Sequence, residues 1–304
     1  MALYEKISEN EWEKKIEFFA KNFSPCTLCP RECGAERSKN KKGACKALAD
    51  VKIASFNLHF GEEPPISGIK GSGTVFFSGC TLKCVFCQNY PISHLCNGEF
   101  YSIDELANIF LYLQRKGAHN INLVSPTPYL YHFIKALYIA YKKGLRIPIV
   151  YNTSGYEKKE IIRNLKGLVD IYMPDFKYFS NKLSLKYSEV NNYFENAFNS
   201  IKEMFEQREE LELDKYGIAI KGVLIRHLIL PGSIEDSKKV LKTIAYSSFK
   251  KSYLSLLSQY FPAYKAASVI DYSNINRRIT SDEYNEVKKY AVSLGFSQGW
   301  FQDI

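Results

Sequence analysis

Residues 71–90 read GSGTVFFSGCTLKCVFCQNY. Thr74–Gly79 is a β-rich run, and Cys80, Cys84 and Cys87 follow at its carboxyl end with C-x₃-C-x₂-C spacing. Three thiolates are one fewer than a fully ligated [4Fe-4S] cluster takes, so a cluster held here keeps one iron open. An open iron can bind the amino and carboxylate groups of a small molecule and pass an electron into it, which a closed electron-transfer cluster cannot do. The alternative is zinc, as a knuckle lacking one ligand or a catalytic site completed by a distant His. Structural zinc wants four ligands, and no His sits at knuckle spacing from Cys87.

Downstream of this loop, β-rich runs alternate with helical patterns: NINLV at 120–124, PIVYN at 148–152, VDIYM at 169–173, GVLIRHLIL at 222–230 and SYLSLL at 252–257. Ser102 with Glu105, Ser233 with Asp236 and Thr280 with Glu283 have capping-box spacing, and Gly117 marks a helix end. Such alternation implies right-handed βαβ crossovers and a parallel sheet. Six strands fall short of the eight of a closed barrel. The expected fold is therefore α/β, a partial (β/α)6 TIM-type barrel with ligands at the carboxyl ends of the strands.

Upstream, Glu11–Phe23 has the apolar spacing of an amphipathic helix. The stretch from Cys26 to Asp50 is poor in large apolar residues and needs a metal to fold. Cys26, Cys29, Cys33 and Cys45 form C-x₂-C-x₃-C-x₁₁-C, a closed four-ligand site that fits zinc or an auxiliary [4Fe-4S] cluster. The chain thus divides into 1–70, a helix and a small Cys-rich metal-binding segment with four cysteine ligands, and 71–304, the barrel. His59 to Glu63, followed by Pro64-Pro65, reads as a solvated turn, with a substrate-facing loop as the second reading. Cys96 is left over and reads as a buried small hydrophobe.

Composition sets outer bounds. The net charge is +9 over 304 residues, but Lys and Arg are interspersed with Asp and Glu, as on a solvated surface and not as in a nucleic-acid patch. No run of eighteen apolar residues exists, and the amphipathic, acid-containing start does not read as an export signal, so a cytoplasmic protein without a membrane span is expected. In that compartment clustered cysteines read as metal ligands and not as disulfides.

The loop at 71–90 and the strand feeding it resemble the radical S-adenosylmethionine (SAM) superfamily. The resemblance runs from about Gly71 to Gly299 and is closest to proteins related to pyruvate formate-lyase activating enzyme. The amino-terminal cysteines are similar to those of the PflX-like branch. This resemblance implies a [4Fe-4S] cluster on Cys80, Cys84 and Cys87 that cleaves SAM to a 5′-deoxyadenosyl radical. Met173–Lys177 is similar to the family's Asp-x-Lys element, which implies a monovalent cation at Asp175 and the SAM carboxylate at Lys177. Arg226 resembles the family's Arg that also reaches that carboxylate. Asn152 stands where the activating enzymes carry Asp, keeping an oxygen ligand but dropping the charge.

Ser125-Pro126-Thr127 stands where the superfamily has Gly-Gly-Glu. The hydroxyls of Ser125 and Thr127 can accept from the SAM ammonium, and a plain Pro-containing turn is the other reading. Tyr264 is placed to stack on adenine or to serve as a rim aromatic. The implied partners are a flavodoxin or ferredoxin as electron donor and a protein substrate losing hydrogen from a backbone glycine. A peptide, an RNA or a small molecule is the alternative target. A reading of another class is a zinc protein that binds nucleic acid through its basic surface, with no SAM cleavage and affinity falling steeply with salt.

Overall fold

The computed structural model describes residues 1–302. Its strands are β1 Val51–His59, β2 Ser72–Phe77, β3 Glu99–Tyr101, β4 Ile121–Val124, β5 Ile149–Thr153, β6 Ile171–Pro174, β7 Glu212–Leu213, β8 Ala219–Leu228, β9 Tyr253–Leu257 and β10 Gly299–Phe301. Its helices are α1 Glu9–Phe23, α2 Pro64–Ser67, α3 Tyr90–Ser93, α4 Ile103–Arg115, α5 Leu130–Lys142, α6 Lys159–Asn164, α7 Asn181–Ser188, α8 Tyr193–Arg208, α9 Ile234–Ala245 and α10 Ser281–Ser293.

The sheet runs β10-β9-β8-β6-β5-β4-β2-β1-β3, with β7 on β8. Every neighbouring pair from β2 to β10 along that path is parallel, while β1 and β3 are antiparallel additions. All six expected strands are present, as β2, β4, β5, β6, β8 and β9. Among the described residues the outermost strands, β3 and β10, do not pair with each other, so the sheet is open there. This mixed α/β unit with a parallel sheet is consistent with a partial barrel. Strands β5 and β6 are buried at every residue, which is why they read as unbroken apolar runs and not as alternating ones.

Local chemistry sets the helix ends. Capping boxes start α4 at Ser102/Glu105 and α10 at Thr280/Glu283 as expected. A third, Ser8/Glu11, starts α1 two residues before the expected Glu11. The expected box at Ser233/Asp236 does not form, because the Asp236 carboxylate accepts instead from the backbone N–H groups of Phe179 (3.0 Å) and Ser180 (2.8 Å). A tertiary demand outcompetes the local one.

The amino-terminal residues pack into the same core as the sheet. Trp12 lies 5.3 Å from Tyr138 and 6.4 Å from Tyr141, ring to ring, which docks α1 on α5. The backbone N–H of Leu3 donates to Asp170 Oδ1 (2.9 Å), and Tyr4 Oη donates to the Ile147 carbonyl (2.9 Å). The reading of 59–63 as a solvated turn needs correction. Phe60 and Gly61 are exposed, but Glu63 is buried and the Glu62 side chain is 9% exposed, so the two carboxylates turn inward.

Candidate active site

Beyond Phe77, Ser78 donates its backbone N–H to the Lys52 carbonyl (2.9 Å) and Gly79 donates to the Ile92 carbonyl (2.8 Å), so the strand end is pinned before the cysteines begin. Gly79 has φ +88°, and a Cβ there would stand 2.4 Å from the carbonyl oxygen of Cys45. Only glycine fits so close to another backbone at that φ. Arg31 extends the same contact, its Nε donating to the Thr81 carbonyl at 2.6 Å.

Cys80, Cys84 and Cys87 line a cavity of about 160 Å³ at the carboxyl ends of β2, β4, β5, β6 and β8. Ser125, Asn152, Asp175, Lys177 and Arg226 share that lining. Asp175 pairs with Lys177 Nζ (2.6 Å) and Arg226 Nε (3.0 Å), and Arg226 Nη2 donates to Asn152 Oδ1 (2.6 Å). Burial alone would raise the Asp175 pKa, but Lys177 and Arg226 outweigh it and hold the carboxyl below its usual range. Burial opposes the charge on Lys177, yet Asp175 and then Cys84 keep its pKa raised.

The charge around the thiols fits an anionic iron-sulfur group. Burial pushes Cys84 up to about 12 and raises Cys80, so each is a neutral thiol until a bound cation takes the proton's place. Lys177 and Lys83 work in the opposite direction. Lys83 Nζ is buried without a hydrogen-bond partner, a cation awaiting a negative group beside Cys80. Among the described residues no three His, Cys, Asp or Glu side chains converge to share one metal ion. A cubane makes a different demand, since each of its thiolates binds a separate iron.

Two expected contacts lie elsewhere. Thr127 is buried and turns away from the cavity, its hydroxyl donating to Glu157 Oε1 at 2.5 Å. Tyr264 stacks on Tyr90 (5.1 Å between rings, 17° apart) and lies 4.6 Å from the His94 ring, flanking the cysteine loop outside the cavity lining. Ser125 does face the cavity, held at φ +58° with its N–H on the Asn152 carbonyl (2.9 Å).

Glu62 sits in the 59–63 loop, expected from sequence to be solvated or substrate-facing, and no partner is foreseen for it there. Its Oε2 meets Arg226 Nη1 at 3.3 Å, and its Oε1 accepts from Asn122 (2.9 Å) and Asn152 (3.3 Å). Burial raises its pKa, with Arg226 acting against that. Two adjacent glutamates ahead of a Pro-Pro pair carry no local sign of which one reaches Arg226. Beyond Arg226 a second cavity of about 140 Å³ is lined by Glu62, Glu63, Gln259, Trp300 and Gln302 among others.

In the amino-terminal segment, Cys26 feels the charge of Cys33 and Cys45, and Cys29 that of Cys45 and Cys26, so the four thiols are electrostatic neighbours. Arg37 is buried and makes no ion pair with a carboxylate among the described residues. Its Nη2 instead lies 3.2 Å from Cys45 Sγ. Arg37 Nη1 donates to the Pro128 carbonyl, and the contact with sulfur puts a positive group beside Cys45 that suits a metal-bound thiolate.

Residues 74–244 match the family model described as the radical SAM superfamily. The chain is 31% identical over 303 residues to uncharacterized protein MJ0674 of Methanocaldococcus jannaschii, an alignment covering 95% of this chain and 82% of that protein. Among solved structures it is similar to native anSMEcpe with bound AdoMet and Kp18Cys peptide, at 15% identity and TM-score 0.48, over 71% of this chain. The chain spans 57% of the length of that structure's chain. It is also similar to TYW1 with a lysine-pyruvate adduct bound, at 12% identity and TM-score 0.42, covering 72% of this chain and 73% of that one. Among the described residues no helix is long and apolar enough to cross a membrane.

Proposed function

Because the chain belongs to the radical SAM superfamily, we propose that Cys80, Cys84 and Cys87 hold its [4Fe-4S] cluster and that SAM binds in the cavity they line. When bound, the cluster supplies one electron that splits SAM into methionine and a 5′-deoxyadenosyl radical, which then takes hydrogen from a substrate. The single observation that carries the reading is that three thiols and the Asp175–Lys177–Arg226 group line one cavity at the strand ends.

The chain's own residues divide the remaining work. Lys177 and Arg226 offer ammonium and guanidinium to a carboxylate, and the planar Arg226 fork is already oriented by Asp175, Asn152 and Glu62. Asp175 and Asn152 present oxygens to a monovalent cation or to these cations themselves. Ser125 presents its hydroxyl to the SAM ammonium.

The electron comes from a flavodoxin or ferredoxin, and hydrogen is taken from a backbone glycine of a protein substrate, as the likeness of residues 71–90 to the activating enzymes supports. Cys26, Cys29, Cys33 and Cys45 hold a second metal, zinc or iron-sulfur; Arg37 beside Cys45 favours a metal here, and the lack of three converging ligands among the described residues favours iron-sulfur over a single zinc ion. The test is anaerobic reconstitution with iron and sulfide, metal counting, and assay of 5′-deoxyadenosine under strong reductant. About four irons at the triad and SAM cleavage are expected; iron-free protein or intact SAM would overturn the proposal. Mixing with a candidate glycyl-radical protein and finding no glycine radical by electron paramagnetic resonance would redirect the target to a peptide, RNA or small molecule.

A further inference from the structure

Resting on the reading that the triad holds a cluster, we infer that Tyr178 and Ser188 form a one-way hydrogen-bond relay onto Cys84 that raises the cluster's reduction potential. Ser188 Oγ lies 3.0 Å from Cys84 Sγ and 2.7 Å from Tyr178 Oη. All three residues are buried, and Ser188 and Tyr178 are almost fully so. Water therefore does not compete for these groups.

Proton counting fixes the direction. A cluster-bound Cys84 is a thiolate with no hydrogen to give, so Ser188 must spend its only hydrogen on sulfur. Towards Tyr178 it is then an acceptor, and the phenol must donate. The Tyr178 O–H points at Ser188 and the Ser188 O–H at Cys84, and hydrogen bonds aligned in series polarise one another.

The backbone holds this geometry in place. Ser188 is the last residue of α7, and its carbonyl accepts from the Lys83 N–H at 3.0 Å, while the Tyr187 carbonyl accepts from the Val85 N–H at 2.9 Å. The two donors flank Cys84, so the end of α7 is stitched to the loop on both sides of the sulfur that Ser188 addresses. Ser93 Oγ lies 3.1 Å from Cys87 Sγ, a second hydroxyl contact.

Reduction adds one electron from the external donor and breaks no bond in the protein. The added negative charge spreads onto the sulfurs, so a donor aimed at sulfur stabilises the reduced form more than the oxidised one and moves the potential upward. The relay thus brings a low-potential cluster within reach of its donor.

The experiment compares anaerobically reconstituted wild type, Ser188→Ala, Tyr178→Phe and the double variant. Iron and sulfide are counted, and the reduced fraction is read by electron paramagnetic resonance at a fixed applied potential. With iron content unchanged, the reduced-to-oxidised ratio in Ser188→Ala is expected to fall roughly tenfold, or ~59 mV for one electron. Tyr178→Phe falls by a smaller factor, and the double variant falls no further than Ser188→Ala, because the phenol acts only through the hydroxyl. A wild-type ratio in Ser188→Ala at full iron content overturns the relay. Should Ser188→Ala lose iron, Tyr178→Phe decides, and an unchanged ratio there overturns it equally. Wild type that takes up no iron at the triad defeats the cluster reading itself, and the metal count tells the two failures apart.

Discussion

Arg226 Nη1 and Glu62 Oε2 meet at 3.3 Å although 164 positions separate them. His59, where β1 ends, lies opposite Ser72, where β2 begins, so Glu62 enters the sheet interior from the end opposite the cysteines. Lys177 pairs with Asp175, and Arg226 pairs with both Asp175 and Glu62, so each buried cation has a carboxylate against it. A compensated set survives burial where an unpaired charge would not.

Glu62→Gln replaces one accepting oxygen with an N–H₂ that must face either Arg226 or the side-chain amides of Asn122 and Asn152. A buried donor is then left against a donor, so stability is expected to fall by about 2 kcal/mol. The check is urea unfolding, with a lower midpoint at unchanged slope. An unmoved midpoint would mean that Asp175 alone satisfies Arg226.

Cys84→Ser removes one of three thiolates without changing the backbone. The expected result is loss of iron at the triad and no 5′-deoxyadenosine, with far-ultraviolet circular dichroism unchanged. Ordinary 5′-deoxyadenosine production by this variant would rule the triad out.

Gly79→Ala puts a methyl 2.4 Å from the Cys45 carbonyl at φ +88°. A side chain in that backbone region is strained before any clash is added, so a loss of more than about 1 kcal/mol is expected. Both cysteine groups should bind less metal, as read by total metal per chain together with the thermal midpoint. Wild-type values for both would show that the contact yields easily.

Asp170 supplies a pH dependence far from the cysteines. Burial raises its pKa from 3.8 to about 6, against the opposing N–H bonds from Ile149 (2.8 Å) and Leu3 (2.9 Å). The folded state therefore holds a proton that the unfolded state has released. Its stabilising contribution is complete below about pH 4 and is lost as pH rises to about 6, amounting to about 3 kcal/mol. Asp170→Asn should be less stable at low pH, yet lack this fall. Urea midpoints of both proteins across pH 4–7 test it, and parallel curves would show that Asp170 does not titrate there.

Six of the seven parallel strands were legible because burial writes them as short apolar runs between helical patterns, whereas the three-residue β10 is too short to read. β1 was not, for a physical reason: its register shifts between Ile53 and Ser55, so Val51 and Ile53 are buried before the shift, whereas Phe56 and Leu58 are the more buried residues after it. A bulge of this kind breaks the period of two on which strand reading depends. In the site, Cys80, Cys84, Cys87, Ser125, Asn152, Asp175, Lys177 and Arg226 could be found from motif order, and all line one cavity. Glu62, Lys83 and Ser188 could not, since each acts through a tertiary neighbour. Thr127 shows the converse: it is at the expected position in the chain, but its hydroxyl is claimed by a buried acid.

The contact between the Cys45 carbonyl and Gly79 makes the two cysteine groups a single mechanical object. No side chain stands between them to absorb a displacement of the amino-terminal loop before it reaches the residue that precedes the first thiolate of the triad. A shift of the Cys45 backbone therefore has to be matched by a shift at Gly79, which is how the amino-terminal loop and the triad stay in register.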